Sequence, residues 1–179
     1  MMRRLLNFLK LLIFLGFLAV SAGVLGYFAS SEIRGIAKVL DGDSIVVGQK
    51  EIRLEGIDAP EYGQTCAATT QGNESYPCGR RAAAYLKKLV ANSELICVGN
   101  QEDKFGRLLA HCESEGVDIN AAMVRDGWAV SFGMYEGLEA QARQRGVGLW
   151  RGDFERPSTW RRRDVERRSN GWLSNLFSW

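Results

Sequence analysis

An α+β fold is what this sequence predicts: a small five-stranded β-barrel with three packed helices, preceded by an N-terminal transmembrane or signal helix. Three observations lead there. Short β-rich runs broken by tight turns fill the stretch from Gly35 to Ile57. An apolar stripe at helical spacing follows, and after it comes a second strand pair and two more helical segments. Ahead of all these lies a long uncharged apolar run.

Gly35 to Leu40 alternates apolar with small or polar residues and breaks at Asp41-Gly42-Asp43. Ser44 to Val47 breaks at Gly48-Gln49-Lys50, and Ile52 to Ile57 forms the third strand, ended by Asp58-Ala59-Pro60 because proline cannot extend a central ladder. Arg53 lies between Ile52 and Leu54 and so faces away from both. A helix from about Gly79 to Asn92 carries the stripe Ala82, Leu86, Leu89 and Val90, with Arg80, Arg81, Lys87 and Lys88 solvated. Leu95 to Val98 and Leu108 to Cys112 make the second strand pair. Asp118 caps a helix through Ile119, Ala122 and Met123 that stops at Gly127, and a last helix covers Leu138 to Arg145 before Gly146. Three strands, a helix, two strands and two helices are the layout of an OB-fold.

The length suits one compact domain with extensions, read as 1–31 for the N-terminal segment, 32–156 for the barrel domain and 157–179 for a tail. A formal charge of +2 demands no anionic partner by itself. The single histidine, His111, excludes sites that need several, and with no nucleophile motif beside it reads as a strand histidine.

Arg3, Arg4 and Lys10 precede an apolar run from Leu11 to Phe28, and Glu32 follows it. That pattern places the remainder of the chain outside the cytoplasm. The run is either a retained anchor in the inner membrane or a signal peptide cleaved after Val20-Ser21-Ala22, which would release the protein. The anchor is favoured because the run continues past that site. The four cysteines agree with export to the cell envelope, and their positions predict Cys66–Cys78 and Cys97–Cys112. A zinc site lacks the Cys-x-x-Cys spacing and the histidines it needs.

Three short segments carry the chemistry: Leu40-Asp41-Gly42-Asp43-Ser44, Ile52 to Glu61, and Asp103-Lys104-Phe105-Gly106-Arg107. Carboxylates able to hold a hard cation, a further carboxylate to activate water and two guanidiniums are the parts needed to cleave a phosphodiester. Each segment alone is an ordinary turn or loop end, and Arg53 alone could pair with Glu51 or Glu55.

Together with Asn120 through Gly127 and Gly148-Leu149-Trp150, these segments occur in the order and at spacings that resemble the staphylococcal nuclease, or thermonuclease, family, over about Ile36 to Trp150. The resemblance implies an OB-fold barrel with three helices and a calcium-dependent phosphodiesterase acting on DNA and RNA. It implies that Asp43 and Asp58 are calcium carboxylates, that Ala59 offers its backbone carbonyl where the family has threonine, and that Asp41 lies nearby. By the same resemblance Arg53 and Arg107 bind phosphate, Glu61 is the general base, and Lys104, Phe105 and Tyr135 contact substrate. Phe105 replaces a tyrosine, and the loop after Glu61, with Cys66 and Cys78, departs from the family pattern.

After Trp150 the composition turns basic and aromatic, from Arg151 through Trp160 and Arg168 to Trp172 and Trp179. This reads as a solvated, partly disordered tail, with contact to nucleic acid or to an anionic membrane as the alternatives. No obligate protein partner is evident. The expected activity is hydrolysis of DNA or RNA; the rivals are a non-catalytic OB-fold module that binds single strands and an envelope-associated scaffold.

Overall fold

The computed structural model describes residues 3, 7, 10–18, 30–69, 74–91 and 93–176, the stretch 170–176 by its backbone alone. Ser31–Val39 (β1), Ser44–Val47 (β2) and Lys50–Leu54 (β3) form an antiparallel meander, with Val39 opposite Ile45 and Ser44 opposite Arg53. Glu94–Glu102 (β7) and Leu108–Ser114 (β8) pair antiparallel across the Asp103-to-Arg107 turn, and the short Val117–Asp118 (β9) pairs antiparallel with the end of β8. The strand order β3-β2-β1-β7-β8 closes on itself through a parallel β3–β8 pairing, in which Arg53 stands opposite Leu109. Five strands thus make a closed barrel of OB-fold type, as expected.

Alternation builds the core. Ile45 and Val47 of β2, Ile52 and Leu54 of β3, and Leu108, Ala110 and Cys112 of β8 point inward and are buried, while Arg53 faces the other way. Cys97 and Cys112 are directly opposed on β7 and β8 and form a disulfide, with Cα atoms 4.1 Å apart. Cys66, in the short antiparallel pair of Cys66–Ala67 (β5) and Ser75–Tyr76 (β6), forms the second disulfide with Cys78. Both predicted pairings are present.

Helix α2 (Cys78–Leu89) buries Ala82, Ala83 and Leu86, so the predicted stripe is core. Helix α3 (Ile119–Arg125) is capped by Asp118, whose carboxylate accepts from Ala121 N–H at 2.9 Å. Helix α4 (Glu136–Arg145) ends at Gly146 in the left-handed conformation.

Three expectations change. The third strand does not run unbroken to Ile57. It turns at Glu55-Gly56, and Ile57–Asp58 (β4) pairs instead with Val130–Ser131 (β10). Buried Asn120 pins that turn, its amide donating to the carbonyls of Glu55 (2.9 Å) and Ala110 (3.0 Å) and its oxygen accepting from Cys112 N–H (3.1 Å). The described part of the tail is helical: α5 spans Pro157–Leu176. Proline suits the first helical position, arginines are good helix formers, and the Arg156 carbonyl accepts from Thr159 and Trp160 N–H.

The third change concerns the N-terminus. Residues 10–18 are helical (α1), and the rest of the predicted anchor, with the Val20-Ser21-Ala22 cleavage site, lies outside the described residues. Among the described residues no helix is long and apolar enough to cross a membrane, so the transmembrane helix is not supported. Met1–Ser31 and Glu32–Trp179 are separate units.

Candidate active site

The Ser44–Arg53 register sets Asp43, just before β2, beside the outward face of β3. The turn at Glu55-Gly56 then brings Asp58 back to the same face. Arg53 Nη1 donates to Asp43 Oδ1 at 2.8 Å and Nη2 to Asp58 Oδ1 at 3.0 Å, so one planar guanidinium bridges both aspartates. Asp43 Oδ2 accepts from Ala59 N–H at 2.8 Å, and Asp41 accepts from Asp43 N–H at 3.0 Å. Asp43 and Asp58 are only 4% and 2% exposed. Burial pushes the Asp43 carboxyl up to about 7, with Asp41 and Asp58 adding to the rise and Arg53 opposing it. Added positive charge would relieve this crowding.

Arg107 reaches the cluster indirectly. Its Nη1 donates to Ser44 Oγ at 3.2 Å, and Ser44 Oγ donates to Asp43 Oδ1 at 3.1 Å. Asp103 aims the Arg107 side chain, accepting from Nε at 2.8 Å and pairing with Nη2 at 2.7 Å. The same carboxylate closes the turn through Phe105 and Arg107 N–H. Despite its partial burial, these donors hold it below the usual carboxylate range. Phe105 is 72% exposed, with the cationic groups of Lys104 and Arg107 at 5.0 and 5.5 Å from its ring centroid, a surface on which a base can stack. Tyr135 makes its hydrogen bonds to other residues: its hydroxyl meets His111 Nδ1 at 3.2 Å and Asp118 at 3.5 Å.

Glu61 is placed by a clamp that nothing in the sequence singled out. Gln64 is fully buried. Its amide oxygen accepts from Glu61 N–H at 3.3 Å, its own N–H donates to the Glu61 carbonyl at 2.7 Å, and its carbonyl accepts from Gly79 N–H at 3.2 Å. A Cβ on Gly79 would sit 1.7 Å from the Glu61 carbonyl oxygen, so only glycine lets α2 start this close. The Cys66–Cys78 bond ties the same loop to the first residue of α2.

Sequence reasoning also missed Arg161 on α5. Its Nη1 donates to Asp58 Oδ1 and Glu61 Oε1, each at 2.8 Å, and its Nη2 to Asp58 Oδ2 at 3.1 Å. Arg161 was visible only as one arginine in a basic run. Nothing local marked it as the one that reaches back across about a hundred residues.

The donor set fits a hard cation. Two buried carboxylates and the backbone around Ala59 are oxygen ligands of the kind calcium takes. The guanidinium of Arg161, lodged on Asp58 and Glu61, is a stand-in cation at that place. Among the described residues no group of three or more His, Cys, Asp or Glu side chains is arranged to hold a metal, so backbone oxygen and water would have to complete the shell.

The family profile described as "Staphylococcal nuclease homologue" matches residues 51–152, more than half of the chain. The chain belongs to this family. An uncharacterized endonuclease of Escherichia coli O157:H7 is 34% identical over 146 residues, covering 74% of this chain and 88% of that protein. The succinoglycan biosynthesis protein ExoI of Rhizobium meliloti (strain 1021) is 31% identical over 134 residues, covering 71% and 69%. The probable staphylococcal-like nuclease CAN1 of Oryza sativa subsp. japonica is 29% identical over 128 residues, covering 68% of this chain and 35% of its own length. Family membership supports a nuclease enzyme with a nucleic-acid substrate.

Proposed function

We propose that this protein is a calcium-dependent nuclease that hydrolyses phosphodiester bonds of DNA or RNA through attack by a base-activated water. The observation that carries the reading is the convergence of Asp43, Asp58, Glu61 and Arg53 on one face of the barrel, with Arg107 joined through Ser44. Asp43, Asp58 and the Ala59 carbonyl would hold the ion, which when bound supplies charge stabilisation to a phosphoryl oxygen. Arg53 spends two of its five N–H donors on aspartates and keeps the others for phosphate. Arg107 offers a second planar fork. Glu61, with its carboxylate 32% exposed at the edge of the cluster, takes the proton from water. Lys104 and Phe105 steady the nucleotide beside the scissile bond.

Incubation of the purified chain with plasmid DNA, single-stranded DNA and RNA tests this. Cleavage of at least one polymer is expected with Ca2+ and none with excess EGTA. Binding without cleavage under every condition would leave the non-catalytic OB-fold reading in its place.

We further propose that the enzyme works in the cell envelope, on the oxidising side of the membrane. The two disulfides support this, since such bonds persist outside the reducing cytosol. Alkylation of protein taken directly from cells is expected to modify none of the four cysteines until a reductant is added. Four reactive thiols at the outset would refute the location.

A further inference from the structure

We infer that Arg161 is a tethered plug that competes with the divalent cation for Asp58, so that helix α5 holds the site closed until the ion displaces it. The inference rests on the nuclease reading above. Both Asp58 oxygens accept from Arg161, and Asp58 Oδ1 also accepts from Arg53. Oδ1 receives two guanidinium donors and has no lone pair left for an ion, and the guanidinium lying against Oδ2 puts like charge where an ion would approach its remaining lone pair, so Arg161 and a cation compete for Asp58. Arg161 also ties up Glu61, the carboxylate proposed to take the proton from water. A single side chain therefore occupies both a ligand and the base.

The attachment of α5 suits a plug. The segment leading into it is stitched to the Glu61 loop: Ala67 N–H donates to the Asp153 carbonyl at 2.9 Å, and buried Gln64 donates to the Glu155 carbonyl at 2.7 Å. Arg156 pairs with Glu139 of α4, and Pro157 is buried. These contacts fix where the helix begins and aim its second turn at the cluster. Beyond Asp164 the side chains of residues 165–169 are all exposed. The helix is held at its root, by Arg161 and by Arg163, which pairs with Glu155 at 2.7 Å. Because coupling between two ligands is reciprocal, the factor by which the plug weakens the ion is the factor by which the ion loosens the plug.

Calorimetric titration of Ca2+ alone into the full chain tests the exchange, with Arg161→Gln as the probe and Arg168→Gln as a control on the exposed part of the same helix. Arg161→Gln is expected to bind Ca2+ about tenfold more tightly than wild type, within the usual range of such coupling, and Arg168→Gln to match wild type. In the wild-type chain, Ca2+ is expected to speed hydrogen exchange of the amides of residues 157–164. If Arg161→Gln does not fold, Arg161→Lys keeps the charge without the fork and is expected to tighten Ca2+ by a smaller factor. Equal or weaker Ca2+ affinity in the folded variant overturns the plug and leaves the cation site standing. Absence of Ca2+ binding in every variant overturns the site and the plug together.

Discussion

Glu61→Gln is expected to lower kcat by about 10²–10⁴ while leaving the affinity for Ca2+ and for a non-hydrolysed nucleotide within a few-fold of wild type. The amide has the same shape and keeps the hydrogen-bonding oxygen. It cannot take a proton from water at neutral pH. The loop should hold its course, because the backbone of Glu61 is fixed by Gln64 and by the close approach of Gly79, neither of which uses the carboxylate. The side chain contributes one other contact, its acceptance of Arg161 Nη1. A loss of binding together with turnover would mean that Glu61 serves to build the site, and wild-type kcat would remove it from the reaction. Single-turnover rates beside equilibrium binding separate these outcomes.

The barrel was readable because its signals are local. Alternation in Ser44–Val47 and Lys50–Leu54, turn residues at Asp41-Gly42-Asp43, the Asp118 cap and the stops at Gly127 and Gly146 each specify their own stretch of chain. The carboxylates and arginines of the site were readable because they sit in those same segments. What stayed hidden depends on contacts distant in sequence. The break between β3 and β4 is decided by Asn120, which lies 65 residues from the Glu55 carbonyl it holds. Gln64 is a polar residue in a polar loop until burial makes it a clamp between Glu61 and Glu155. Arg161 lies 103 residues from Asp58, in a run where several arginines look alike, and only the docking of α5 selects it. Ser44 and Asp103 stood inside recognised motifs without a role; their hydroxyl and carboxylate connect and aim Arg107.

Arg53→Lys is expected to cost about 10²–10³ in kcat/KM, the usual loss when one transition-state donor goes, with the barrel still folded. Lysine keeps the positive charge, so Asp43, which pairs with Arg53 while Asp58 also has Arg161, is not left as a bare buried anion, a loss that would cost several kcal/mol. What disappears is the plane. Arg53 touches Asp43 with one terminal nitrogen and Asp58 with the other, and its side chain is one-fifth exposed toward the open face of the cluster. An ammonium is a single point: it can sit on one aspartate or reach for the phosphate, and it cannot bridge both aspartates while presenting a fork outward. Arg53→Ala removes the charge as well, and should lower the melting temperature along with activity. The lysine variant should melt within a few degrees of wild type, and the contrast between the two separates geometry from charge. Arg107→Lys makes the parallel case, since Asp103 holds the guanidinium through Nε and Nη2 while Nη1 meets Ser44. Should either lysine variant cleave DNA at the wild-type rate with its fold intact, the planar recognition of phosphate assigned to these arginines is wrong, and simple positive charge at the mouth of the barrel suffices.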